Sequence, residues 1–260
     1  MFSVEIAGVP IGINNHYSEV ETFCRDYITD RNPWFTVTVS VEDIVSMLHG
    51  KSSDFGTDLS SAGVIQEYSL SYAEELCIYR QIALAMIDYD AFLMHAAIID
   101  VDGEGVAFAA GSGTGKSTRV SLWRKTFGTR VKVVNGDKPI LRFVNDKLYA
   151  FGTPWMGKEN WGANTRVPLK YVCFLEREEE VSLIQLETKQ VLPRLFQQVL
   201  LPEDEEKTGS FMSLLDRFIG NCNFFLLKCN QDKENAEEIW EEMKKRKNGE
   251  ICNTKISELE

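Results

Sequence analysis

The chain has 260 residues, 44% of them apolar and 26% charged, and a net charge of -11. That length builds one large domain or two small ones around a sizeable core. The acidic balance argues against nucleic acid as a partner, because phosphate contacts need clustered Lys and Arg.

No run approaches the ~18 apolar residues of a membrane span, so no membrane contact is expected. Met1-Phe2-Ser3-Val4-Glu5 lacks a basic region followed by an apolar core, so no signal peptide is expected. The six cysteines form no CxxC pair and the three histidines lie far apart. That usage fits a reducing, cytoplasmic setting without a zinc site.

Residues 2 to 14 alternate weakly around Gly8 and Pro10 and predict a short hairpin. Tyr17 to Tyr27 predicts a helix. Trp34 to Val41 predicts a strand, with Phe35, Val37, Val39 and Val41 on one face. Gly50 to Gly63 is polar and predicts a loop or boundary. Residues 1 to 65 are therefore expected to form a small β-rich subdomain, 66 to 247 the core, and 248 to 260 a loose tail.

Ser71-x-x-Glu74 has the spacing of a capping box. Tyr72, Leu76, Tyr79, Ala83 and Met86 follow at helical spacing, so a helix is predicted from Tyr72 to about Asp88. Phe92 to Val101 reads as one apolar strand. Asp102-Gly103 turns it into a second arm, Val106 to Ala110, of an antiparallel hairpin. His95 lies on the first arm, either as a core histidine or as a neighbour of the loop that follows.

That loop is Ala110-Gly111-Ser112-Gly113-Thr114-Gly115-Lys116-Ser117, and Thr118 to Phe127 after it predicts a helix stopped by Gly128. Strand, glycine-rich turn and helix are the setting of a phosphate-binding loop, with residues 111 to 118 cradling phosphate. The new helix points its positive end at the same place. Lys116 is expected to reach the β- and γ-phosphates of ATP, and Ser117 to give its hydroxyl to Mg²⁺. Ala110 stands where this motif usually opens with Gly.

Val131 to Val134 predicts a strand, and Asn135-Gly136-Asp137-Lys138-Pro139 follows. Asp137 is placed where a catalytic or metal-holding carboxylate is expected, although Asn-Gly-Asp is also turn-forming in its own right. Ile140 to Val144 and Leu148 to Phe151 predict a second hairpin. Gly152 to Arg166 reads as a lid whose Lys158 and Arg166 either meet phosphate charge or stay solvated.

Tyr171 to Leu175 and Val181 to Leu186 are expected to pair as strands. A helix is predicted over Val191 to Leu201 with a break near Pro193, then an acidic loop at Glu203 to Glu206. A further helix over Ser210 to Ile219 is expected to stop at Gly220. Asn223 to Lys228 predicts a strand. Ala236 to Lys247 predicts an amphipathic helix with external pairs Glu241–Lys245 and Glu242–Arg246.

Three segments resemble the HPr kinase/phosphatase family and its shorter relatives: Leu93 to Ile98, the phosphate loop from Ala109 to Thr118, and Val133 to Asp137. The hairpin joining the first two is shared, and the likeness runs roughly over residues 68 to 245. The resemblance implies an α/β P-loop kinase fold like that of phosphoenolpyruvate carboxykinase, a mixed sheet with antiparallel hairpins and flanking helices. It implies ATP-dependent phosphorylation of a serine or another hydroxyl on a protein, peptide or small molecule, with ATP and Mg²⁺ as cofactors.

By the match, His95, Lys116 and Asp137 are catalytic and Ser117 and Asp137 serve the metal. A homo-oligomer is compatible with this reading. Gly136 stands where the family has its first aspartate, and that departure favours an alternative, an ATP-binding regulator with little transfer activity.

Overall fold

The computed structural model describes residues 1–48, 69–230, 236–246 and 254–255. The segment Gly50 to Gly63, expected to be a loop, lies outside the described residues, as does most of the tail. The fold is mixed α/β.

Strands β1 (Phe2–Ile6), β2 (Val9–Asn14) and β3 (Phe35–Thr38) form a three-stranded sheet. Ala7 and Gly8 turn the first hairpin with positive φ of 52 and 76°. Helix α1 (Ser18–Phe23) and a 3-10 turn at Arg25–Tyr27 cover the predicted helix. The predicted strand ends early. Val41 opens helix α2 (Val41–Leu48) and is exposed. Ser40 and Asp43 cap that helix reciprocally, the Asp43 N–H donating to Ser40 Oγ at 3.1 Å and the Ser40 N–H to Asp43 Oδ2 at 3.2 Å.

Helix α3 (Leu70–Ala85) starts two residues earlier than the Ser71 box implies. Ser69 is its cap, accepting from the Tyr72 N–H at 3.2 Å. Glu74 does other work: fully buried, it accepts the N–H groups of His16 at 2.6 Å and Tyr17 at 3.0 Å, tying the entry of α1 to α3.

Residues 92 to 101 are two strands rather than one. β4 (Ala91–Leu93) pairs with β8 (Ile140–Val144), which pairs with β9 (Lys147–Phe151). β5 (Ala96–Val101) pairs with β6 (Glu104–Ala109) and β7 (Val131–Asn135), both antiparallel. Between them Met94 N–H donates to Pro139 O, His95 N–H to Gln198 O and Ala96 N–H to Asp137 O. The chain changes partners at His95.

β10 (Arg166–Arg177) is the spine of the large sheet, parallel to β6 and to β12 (Asn223–Cys229). Its first residues pair with β9. β11 (Ser182–Gln185) pairs with β12 and not with β10, and its far edge carries β13 (Thr254–Lys255).

Side chains alternate across this sheet. Ala96 and Ile98 face α5 (Thr188–Leu195) and α6 (Glu205–Asn221). Ala97, Ile99 and Val101 face α4 (Lys116–Phe127) and α7 (Ala236–Lys245). The residues expected as an acidic loop start α6, capped by Asp204, and Gly220 lies inside that helix rather than stopping it. On α7, Glu241 pairs with Lys244 rather than Lys245, while Glu242 holds the buried Arg246. Among the described residues no helix is long and apolar enough to cross a membrane.

Candidate active site

The loop between β6 and α4 turns on Gly113 and Gly115, whose φ values are 75 and 120°. Those are angles L side chains rarely adopt. A Cβ at either glycine would meet nothing within 4 Å, so the loop's concave side opens into a cleft. The cleft has a volume of about 590 Å³ and also receives Ser117 and Thr118. Such a cradle fits phosphate oxygens, with the N-terminal end of α4 behind it. Arg177, at the end of β10, steadies the loop by donating to the carbonyls of Gly113 and Thr114.

Lys116 is buried. Its Nζ donates to Ala110 O at 2.8 Å and lies 3.1 Å from His95 Nε2. His95 Nε2 lies in turn 3.2 Å from Asp137 Oδ1, and Lys138 Nζ pairs with Asp137 Oδ2. The structure therefore brings Lys116, His95 and Asp137 into one connected set, although they span 43 positions of sequence between His95 and Lys138. The strand change at His95 puts its ring here, and the turn after β7 delivers Asp137.

That turn is held from inside. Asn135 Oδ1 accepts the N–H groups of Asp137 and Lys138 at 2.9 and 2.8 Å, while its amide donates to Thr153. This is an Asx-type turn locked by a buried neighbour.

Burial acts on each charge. It pushes the Lys116 ammonium down to about 8, against the pull of Asp137. It lowers His95 as well, the Asp137 hydrogen bond only partly offsetting it, so the ring is neutral near pH 7. Burial also works to raise the Asp137 carboxyl, but His95 and Lys138 outweigh it and hold Asp137 well below the usual carboxylate range. A carboxylate so stabilised orients and anchors; it is a weak proton acceptor.

Of the two expected lid cations, Lys158 lines the cleft. Arg166 does not. It opens β10 with its guanidinium 4.9 Å over the Tyr149 ring. Gly152 to Thr165 is pinned at both ends: the Ala163 N–H donates to Val134 O, the Gly152 N–H to Thr165 O and the Lys138 N–H to Trp155 O. Within it Gly157 to Asn160 and Ala163 to Thr165 are exposed.

Gly136 is covered by this segment, since a Cβ there would lie 2.7 Å from Met156 O and 3.1 Å from Trp161 O. A side chain at 136 is therefore incompatible with the loop as packed.

Sequence reading did not single out Lys138, Glu75 on α3, or Glu159, all of which line the cleft. Lys138 adjoins Asp137 and was legible by position alone. The Glu159 carboxylate on the loop helps keep the Lys116 ammonium protonated. Nothing local marks Glu75. Among the described residues, no group of three His, Cys, Asp or Glu side chains is placed to hold a metal ion. At the phosphate loop Ser117 carries a hydroxyl that a metal could take, and the two oxygens of Asp137 contact His95 and Lys138.

No protein-family model matches the chain, and no curated protein matches it. Among solved structures it is similar to the Hpr(Ser) kinase/phosphatase from Coxiella burnetii, at 13% sequence identity and a TM-score of 0.32. The match covers 59% of this chain and 88% of that one.

Proposed function

We propose that the chain is a phosphotransferase that binds ATP on residues 111 to 118 and passes its γ-phosphoryl group to a hydroxyl. The observation that carries this reading is the contact of the loop's own lysine with His95, and of His95 with Asp137, in the lining of one cleft. Lys116 meets the terminal phosphates. Asp137, fixed by Lys138 and by the Asn135 turn, receives the acceptor hydroxyl as a hydrogen-bond donor and aligns its oxygen. His95 couples the two, so that charge drawn to Lys116 is felt at Asp137.

Mg²⁺, held by the Ser117 hydroxyl and by water, would supply neutralisation of phosphate charge. Little base strength is needed, because the transferring phosphoryl group in most such reactions is only loosely bonded to its acceptor; as the new O–P bond closes and ADP leaves, the hydroxyl proton, by then acidic, passes by way of Asp137 to water or to the phosphate. The strong acidity of Asp137 and the steric closure over Gly136 favour, as a second reading, a protein that binds ATP and regulates without transferring.

Calorimetry with Mg-ATP separates binding from chemistry. Lys116→Ala should weaken binding by ~10–100-fold, the loss of a charge-assisted hydrogen bond. Asp137→Asn should leave binding within a few-fold and cut ATP turnover by ~10²-fold or more. Equal affinity in Lys116→Ala refutes the phosphate assignment. Native binding without turnover on any hydroxyl acceptor leaves the regulator.

A further inference from the structure

Helix α3 presents Tyr72, Glu75, Leu76 and Tyr79 at spacings of three and four, which places them on one face. The first three line the cleft opposite the phosphate loop, together with Phe23 and Trp155. A run of contacts orders the two walls. Lys116 leads through His95 and Asp137 to Lys138, whose Nζ lies 5.6 Å from the Tyr79 ring centre. Tyr79 packs on Trp155 at 5.7 Å, and Trp155 on Phe23 at 6.1 Å. Since Lys116 serves the terminal phosphates, the α3 wall flanks the end of the cleft where the acceptor enters.

The wall is aromatic and apolar except at Glu75. Among the described residues no hydrogen bond or ion pair reaches that carboxyl, although it is half-buried and the carboxylates of Glu19 and Glu74 repel it. Glu74 is satisfied by the His16 and Tyr17 amides. A carboxyl in that setting is costly to ionise without a cation, and burial, then Glu19 and Glu74, push it up to about 7. Polyanionic nucleotide would worsen the repulsion; a positive group would relieve it.

We infer that the α3 wall is the acceptor subsite, and that it takes a hydroxyl compound bearing a positive charge on an apolar or aromatic body. The inference rests on the phosphotransfer reading, which fixes which end of the cleft holds the terminal phosphate. The ring or chain of the acceptor lies against Phe23, Leu76 and Trp155, its ammonium or guanidinium pairs with Glu75, and its hydroxyl reaches Asp137. Two sources share that chemistry: a free amino alcohol, and a serine in a basic segment of peptide.

The test uses direct binding at neutral pH with three probes: phenylalaninol, its neutral N-acetyl form, and an end-capped serine peptide holding one lysine and one phenylalanine. The native chain should bind phenylalaninol or the peptide, or both, and bind the neutral form at least ~10-fold more weakly, as for a charge-assisted contact. Glu75→Gln should erase that preference; Leu76→Ala should weaken charged and neutral probes alike. The peptide binding better points to a polypeptide acceptor, phenylalaninol binding better to a small one.

Absence of binding by both cationic probes, or a preference that survives Glu75→Gln, overturns the inference. Mg-ATP binding is measured separately on the native chain: its failure with probe binding intact would sink the phosphotransfer reading and leave the cation subsite standing.

Discussion

His95 Nε2 lies within hydrogen-bond distance of two partners that make opposite demands. A neutral ring nitrogen holds a hydrogen or a lone pair, not both. With the hydrogen on Nε2, His95 donates to Asp137, and Lys116 rests on Ala110 O. With Nε2 bare, it accepts from Lys116 instead. Phosphate drawing Lys116 outward favours the first arrangement.

The burial of Lys116 makes this testable by pH. Its ammonium is pushed down to about 8 in the free protein, and phosphate binds the charged form. Below that pH the proton is already present, and binding takes up none on its account. Above it, each pH unit should cost up to ~10-fold in ATP affinity, with uptake approaching one proton. Titrations at pH 7 and 9 in buffers of different ionisation enthalpy measure that uptake, and no uptake at pH 9 would contradict a buried Lys116 at the phosphates. Lys116 and Ser117 were legible because their motif is local. Glu75 was not, because only folding brings α3 against a loop some forty residues later.

At the scale of elements, the segment from Gly152 to Thr165 behaves as a clamp with a small free tip. Its glycines are explained by contact: a Cβ at Gly152 would overlap Ala163 O, and one at Gly162 would lie 2.9 Å from the Met156 side chain. The sequence suggested a lid from its length and its lack of regular structure. Its two ends are nonetheless bonded to the β7 strand and the turn after it, and no periodicity reports backbone contacts of that kind.

Trypsin should therefore cut after Lys158, in the exposed tip, and spare Arg166, which is in β10. Saturating Mg-ATP should slow the Lys158 cut several-fold, since Lys158 lines the cleft. Cleavage after Arg166 in the native chain, or no nucleotide effect at Lys158, would show the clamp to be wrongly placed.

Other misreadings at this scale have equally local causes. The Ser40–Asp43 cap that opens α2 was present in the sequence but was hidden by alternating valines that continue the strand pattern across it. Residues 92 to 101 are mostly apolar and carry no turn signal, and the competing partners Pro139, Gln198 and Asp137 divide them.

For the whole molecule, the large sheet was legible in outline because its strands are apolar runs punctuated by glycine turns. Its order was not, since β10 joins β6, β9 and β12 through contacts of long sequence separation. The relation of the first forty-eight residues to the rest was equally hidden. Sequence reading set residues 1 to 65 apart as a subdomain; among the described residues, the buried side chains of the first forty-eight share one cluster with α3 and with Leu93, Ile140, Phe151 and Trp155. Val4, Ile6, Ile11, Ile13 and Tyr27 pack into that cluster, and Glu74 ties it to the entry of α1.

A core shared in this way melts as one unit. Thermal unfolding followed by far-ultraviolet dichroism and by tryptophan fluorescence should give coincident single transitions. Nucleotide at ~100 times its dissociation constant should add ~2.7 kcal/mol and shift both by several degrees together. A chain beginning at Ser69 would expose the α3 face and Trp155, and should lose cooperative unfolding and Mg-ATP binding alike. Two separate transitions in the full chain, or a stable truncated chain with native ATP affinity, would show that the N-terminal sheet is an independent unit and that the α3 wall stands without it.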